Sequence, residues 1–163
     1  MIIKSHNMKE KYKFYCDMDG VLVNFNKGYL DLTGIDITGN HRSDSKFWQP
    51  LDAAGVEYWE NLEWMPDGRA LWDYIKKYSP DLLSSPSREN SSRVGKNKWV
   101  QRELPGVHLI LRSSDKKQEF ATPESILIDD REQNIQQWRQ AGGIAIHHTS
   151  ANDTIEQLKQ LNL

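Results

Sequence analysis

The chain has 163 residues, 37% of them hydrophobic and 27% charged, with a formal net charge of -2. That length suits one domain with a real core and a small insertion, and the near-neutral charge excludes a strong overall field toward nucleic acid or membrane. The single cysteine, Cys16, excludes an intrachain disulfide, which fits a reducing, intracellular setting.

Taken in chain order, the first apolar run is "KFYC" (13–16), which reads as a strand that runs straight into "DMDGV". A long stretch follows, from about residue 24 to 79. It contains "TGIDITGNHRSDSKFWQPLDAAGVEYWENLEWMP", rich in turn formers and aromatics, and then a helix over 67–78 with Leu71, Trp72, Ile75 and Tyr78 on one face and Pro66 at its start. A simple crossover needs far fewer residues, so this stretch reads as a cap inserted after the first strand. "DLLSS" (81–85) is the second strand. "SSRVGKNKWVQREL" (91–104) is a helix stopped by Pro105 and Gly106. "VHLILR" (107–112) and "SILID" (125–129) are the third and fourth strands. "REQNIQQWRQAGG" (131–143) is a helix ending near Gly142, "GIAIHH" (143–148) is the fifth strand, and the tail carries Ile155, Leu158 and Leu161. Strands without strict alternation, separated by helices, predict an α/β, Rossmann-like fold. It has a parallel five-stranded sheet flanked by helices, all in one domain spanning 1–163.

Side chains two apart on an extended segment point the same way, so Asp17 and Asp19 share one side. Ligand crevices of parallel sheets lie at the carboxyl ends of the strands. Asp17 and Asp19 sit at such an end, as do Ser84 and Ser85 after the second strand and Asp129 and Asp130 after the fourth. Four convergent carboxylates resist ionising together, and a hard divalent cation, Mg²⁺, resolves the conflict. The chemistry that fits is phosphoryl transfer. One metal-bound carboxylate attacks phosphorus, a second moves protons, and hydroxyls with a lysine hold the phosphoryl oxygens. Ser84 and Ser85 supply the hydroxyls, and Lys96 or Lys98 the ammonium.

"DMDGV", "LLSSP", "GKNKW" and "ILIDDR", in that order, resemble the four motifs of the haloacid dehalogenase superfamily of phosphohydrolases. "DMDGVLVNF", "SSPS", "KNKWV" and "LIDDR" resemble more narrowly the 5'(3')-deoxyribonucleotidase family. The resemblance implies a nucleophile at Asp17 and a general acid/base at Asp19, whose backbone carbonyl also binds Mg²⁺. It implies a phosphate-binding hydroxyl at Ser84, where the family has threonine, and the phosphate-binding lysine at Lys96. Asp129 and Asp130 match the acidic pair that binds the metal, and Phe25 matches an aromatic of the nucleoside pocket. The expected activity is Mg²⁺-dependent hydrolysis of nucleoside monophosphates through an aspartyl-phosphate.

Plainer roles exist for most of these residues. Asp129 and Asp130 suit capping of the following helix as well as metal binding. Arg88 and Lys116 are further cations for phosphate. Cys16 reads as a small buried apolar residue. His147 and His148 read as structural, and the strand order that the resemblance implies places them away from the motif strands. Phe47, Trp48, Tyr58, Trp59 and Trp64 form either a cap core or, with Phe25, a surface for a base, Trp48 and Trp59 being the candidates for contact. A phosphatase for another small phosphate or a nucleic-acid 3'-phosphate end is the alternative enzyme. A signalling receiver domain would carry its acidic pair on the first strand, and a non-catalytic phosphate-binding module would normally have lost a motif. No run is apolar and long enough to span a bilayer, and "MIIKSHNMKEKYK" lacks the apolar core of a signal peptide, so a cytoplasmic protein with a small nucleotide substrate is expected. The oligomeric state is open, a homodimer among the alternatives.

Overall fold

A computed structural model describes residues 11–39 and 44–163. Most of the opening segment read for a leader, and positions 40–43 of the cap, lie outside the described residues. Five parallel strands form one sheet: β1 (Lys13–Cys16), β2 (Asp81–Ser84), β3 (Leu109–Leu111), β4 (Ser125–Asp129) and β5 (Ile144–His147), in the spatial order β3-β2-β1-β4-β5. Cys16 pairs with Leu82 on one side and Ile128 on the other, so β1 is central and its end faces the ends of β2 and β4.

Both faces of the sheet are covered, as the unalternating apolar runs require. Phe14, Cys16, Leu82, Ile126 and Ile128 join one apolar cluster. Leu83 and Leu127, one residue out of phase with their neighbours, join the other, against which Tyr15 packs. The first cluster takes in Leu71, Trp72 and Ile75 of α4 (Gly68–Ile75), Trp99 of α5 (Asn90–Glu103) and Leu158 of α7 (Ala151–Gln160). The second takes in Ile135 and Trp138 of α6 (Glu132–Gln140), with Phe120 from the 3₁₀ segment Ser114–Phe120.

Among the described residues, three helices lie between β1 and α4: α1 (Phe25–Thr33), α2 (Ser45–Ala54) and α3 (Val56–Glu60). Asn24 caps α1 by accepting the Lys27 amide, and left-handed Gly34 ends it. These helices share an aromatic core in which Phe25 stacks near Tyr29 and Phe47 and meets Tyr58 and Trp59 edge-on or tilted. The chain enters and leaves this region side by side. Val23 bridges Trp64, and the Asn24 amide donates to Glu63. The helix at the end of the long insertion, α4, packs against α7 as part of the body that flanks the sheet.

α3 lies directly on α5. At Gly95 a Cβ would collide with Trp59 and reach within 2.8 Å of the Val56 carbonyl oxygen, so only glycine allows this approach. The Trp99 indole donates to the Leu62 carbonyl and Arg102 to the Glu60 carbonyl, which fixes the same contact from α5.

Candidate active site

β1 ends and the chain turns sharply. The amides of Val21, Leu22 and Val23 all point at the Met18 carbonyl, and Gly20 adopts φ 82°. A Cβ at Gly20 would also strike the Asp130 carboxylate. The turn therefore holds Asp17 and Asp19 at the strand end and admits Asp130 beside them. The Asp17 carboxylate accepts the Met18 amide at 2.9 Å.

Carboxylate oxygens of Asp17, Asp129 and Asp130 lie within 4.8 Å of one another. Asp17 and Asp129 are buried, and so is Lys117, whose ammonium donates to Asp17 Oδ1 at 3.1 Å and to Asp129 Oδ2 at 2.9 Å. Asp129 is further held by Asn134 Nδ2 at 3.1 Å and by the Arg131 amide at 2.9 Å, the latter at the start of α6. Beside this group, Lys96 donates to Asp19 Oδ2 at 2.7 Å and to Ser84 Oγ at 3.0 Å. The Lys96 ammonium also sits 5.1 Å from the centre of the Trp59 ring, so a cap residue closes over it. The sheet brings Asp17, Asp19, Ser84, Ser85, Lys96, Asp129 and Asp130 to one end.

Burial pushes Asp17 well above the ordinary carboxylate range and the charge of Asp129 adds to this, while Lys117 opposes it. Asp130 is raised to about 6, again by burial first and by Asp129 second. Burial acts to lower Lys117, but Asp17 and Asp129 outweigh it and leave the ammonium above its usual range. Four carboxylates share the site with two ammonium groups, Lys96 and Lys117. No ion pair reaches Asp130 among the described residues. The excess negative charge and the all-oxygen donor set of Asp17, Asp129 and Asp130 fit a hard divalent cation. Two buried oxygens beside the cluster, Asp19 Oδ1 and Ser85 Oγ, have no hydrogen-bond partner among the described residues. They suit a polar ligand, which would satisfy them.

Lys117 is the residue that sequence reasoning missed. Its neighbour Lys116, offered as a phosphate cation, is exposed, as are Arg88 and Lys98. In the Ser114–Phe120 segment one lysine of the pair turns inward and the other outward, and only adjacency to a buried acidic pair selects between them. The histidines also need correction. β5 lies next to β4, with His147 opposite Asp129. His147 Nε2 is 2.9 Å from the Asp130 carbonyl, and the His148 amide donates to the Asp129 carbonyl at 2.8 Å. Both histidines therefore brace the backbone of the acidic pair instead of standing apart from it. Cys16 is buried, and burial raises its thiol well above the ordinary range, which removes it as a nucleophile.

The aromatic residues divide. Phe25 is 2% exposed inside the cap core, so a base could stack on it only if the cap repacked. Trp59 is 3% exposed and presents its ring to Lys96. Trp48 is half-buried against Phe25 and Phe47.

No family model matches the chain, and no curated protein matches it. Solved structures do. A hydrolase from Pseudomonas syringae superposes with a TM-score of 0.54 at 11% identity, covering 93% of this chain and 99% of that one. A HAD-superfamily hydrolase from Ehrlichia chaffeensis gives 0.51 at 13% identity over 93% and 97% of the two chains. A hydrolase from Streptococcus pneumoniae TIGR4 gives 0.50 at 16% identity over 93% and 98%. Five parallel strands in this order, with the acidic cluster at their carboxyl ends, thus form the fold of the haloacid dehalogenase hydrolases.

Proposed function

We propose that the chain is a Mg²⁺-dependent phosphomonoesterase whose substrates are nucleoside monophosphates. The observation that carries this reading is the pairing of two aspartate–lysine units at one strand end, the first buried and the second half-buried. Asp17 is held by Lys117, and two residues on Asp19 is held by Lys96. In this reading Asp17, Asp129 and Asp130, with the Asp19 backbone carbonyl, hold the ion. Bound there, Mg²⁺ supplies charge that offsets the crowded carboxylates and the phosphoryl oxygens.

The Asp17 carboxylate oxygen attacks phosphorus and the bond to the ester oxygen breaks. Asp19 gives its proton to the departing oxygen. Asp19, now a carboxylate, takes a proton from water. The water oxygen attacks the phosphorus of the aspartyl-phosphate, and Asp17 and inorganic phosphate are released. Lys117 keeps the Asp17 carboxylate turned toward the crevice. Ser84, Ser85 and Lys96 receive the phosphoryl oxygens, Lys96 exchanging one of its present partners for the substrate.

The nucleotide preference is supported by the resemblance of the motifs and by the aromatic cap that meets the site at Trp59. Because Phe25 and Trp59 are both sealed in the cap, 2% and 3% exposed, the half-buried Trp48 is the one of the three aromatics with surface left for a base. A phosphate-release screen over nucleoside monophosphates and sugar phosphates, with and without Mg²⁺, tests both levels. Release that needs Mg²⁺ and favours nucleotides supports the proposal. Better turnover of sugar phosphates removes the nucleotidase reading, and no release from any ester removes the phosphatase.

A further inference from the structure

Beside the crevice, at the β3 edge of the sheet, lies a hollow of about 310 Å³ lined by Arg93, Leu111, Arg112, Ser113, Lys116 and Glu119. Two of its three cations neighbour the lysines of the site in sequence. Arg93 is one helical turn before Lys96 on α5, and Lys116 directly precedes Lys117. The Arg112 amide donates to the Ser84 carbonyl at 3.0 Å, so the hollow begins where the second strand ends.

On other faces some surface cations are paired with carboxylates, Lys27 with Asp31 and Glu63, Lys13 with Asp81, and Arg69 with Glu103. Arg93, Arg112 and Lys116 form no ion pair among the described residues, although Glu119 lines the same hollow. Three cations against one carboxylate leave this concavity at +2 on a chain of net charge -2. The Arg112 guanidinium lies 5.6 Å from the centre of the Phe120 ring, a contact that restricts its orientation before any ligand arrives. Unpaired guanidinium groups in a hollow, one of them preordered, suit the forked recognition of phosphate oxygens.

We propose that this hollow is a subsite for a second phosphate of the substrate. The preferred substrate then carries one phosphate at Asp17 and another, monoester or diester, at Arg93, Arg112 and Lys116. This rests on the phosphatase reading and adds the substrate class to it. Two sources present the same chemistry: a nucleoside bisphosphate and the 3'-phosphate end of a short oligonucleotide.

The experiment measures kcat/KM by phosphate release for nucleoside 3'- and 5'-monophosphates, a nucleoside 3',5'-bisphosphate and a 3'-phosphorylated dinucleotide. It compares the wild type, Arg93→Gln/Arg112→Gln and Glu119→Gln. The wild type should favour a substrate with two phosphates over the monophosphates by ~10-fold or more, and the double substitution should remove most of that ratio. Glu119→Gln should raise it. A preference for the bisphosphate alone identifies a terminal second phosphate, and one for the dinucleotide alone a diester. A ratio that is the same in the wild type and the double variant overturns the subsite. If no substrate is hydrolysed, it is the catalytic reading that has failed, and calorimetric binding of the same compounds decides the subsite separately. A dissociation constant ~10-fold weaker in the double variant supports it, and an equal one overturns it.

Discussion

Lys117 and Asp17, one hundred residues apart in the chain, meet at 3.1 Å in the interior, and the same ammonium reaches Asp129 at 2.9 Å. One cation thereby ties the end of β1 to the end of β4. Replacing Lys117 by methionine keeps the bulk and removes the charge, leaving two buried carboxylates unpaired. Breaking a buried pair in this way costs about 3–5 kcal/mol. Lys117→Met should lower the denaturation midpoint accordingly and abolish phosphate release. A variant with wild-type stability would mean that the buried carboxylates do not depend on this cation.

Asp17→Asn should be inactive yet folded. The amide is nearly isosteric and a poor nucleophile, and uncatalysed phosphate monoester hydrolysis is extremely slow. Because Asp17 is raised by burial and by Asp129, removing its charge relieves the cluster. Its thermal midpoint without Mg²⁺ should therefore be no lower than that of the wild type, and the stabilisation produced by added Mg²⁺ should shrink. Residual turnover near the wild-type rate would exclude Asp17 as the attacking group.

Stability should depend on pH and metal together. Asp130 rises from 3.8 to about 6, so between those values the folded chain binds protons that the unfolded chain has released. The contribution is present below the ordinary carboxylate value and is lost as pH rises through about 6. Asp17 acts in the same direction. Without metal, the cluster's contribution should thus lower the thermal midpoint between pH 5 and 7. With Mg²⁺, which favours the ionised carboxylates, that fall should flatten or reverse. Parallel pH profiles with and without Mg²⁺ would remove the ion from this cluster.

Phe25→Ala separates a cap core from a base-stacking surface. With Phe25 2% exposed among Tyr29, Phe47, Tyr58 and Trp59, its truncation should cost about 3–5 kcal/mol of stability. Turnover of a nucleotide and of a small phosphate ester should then fall together. Loss confined to the nucleotide, with unchanged stability, would instead place a base against Phe25.

The core strands were legible because their apolar runs have nothing else to do. β1 and β4 span 13–16 and 125–129 as the sequence reading places them, each bounded by aspartates. Ser84, Asp19 and Lys96, read from separate short motifs, meet in the fold. Lys117 was not, because "SSDKKQEF" is polar up to Phe120 and its 3₁₀ turn leaves no apolar period to say which lysine faces inward. His147 was misplaced for a different reason. Side-chain pattern predicts that a segment is a strand, but its neighbour in the sheet is decided by which crossover packs where. Phe25 followed its motif into the pocket in the sequence reading, whereas the density of aromatics around it draws it into the cap's interior.

At Gly95 the cap and the helix bearing Lys96 touch backbone to side chain with no residue between them, and Trp99 and Arg102 fasten the same joint. A lid hinged there would have to break those bonds and carry the Trp59 ring off the ammonium it covers. Trp59 and Lys96 therefore travel as a single mechanical part. Any movement of the cap has to be taken up away from this joint, and a substitution as small as Gly95→Ala would be felt at Lys96 as a tilt of its helix.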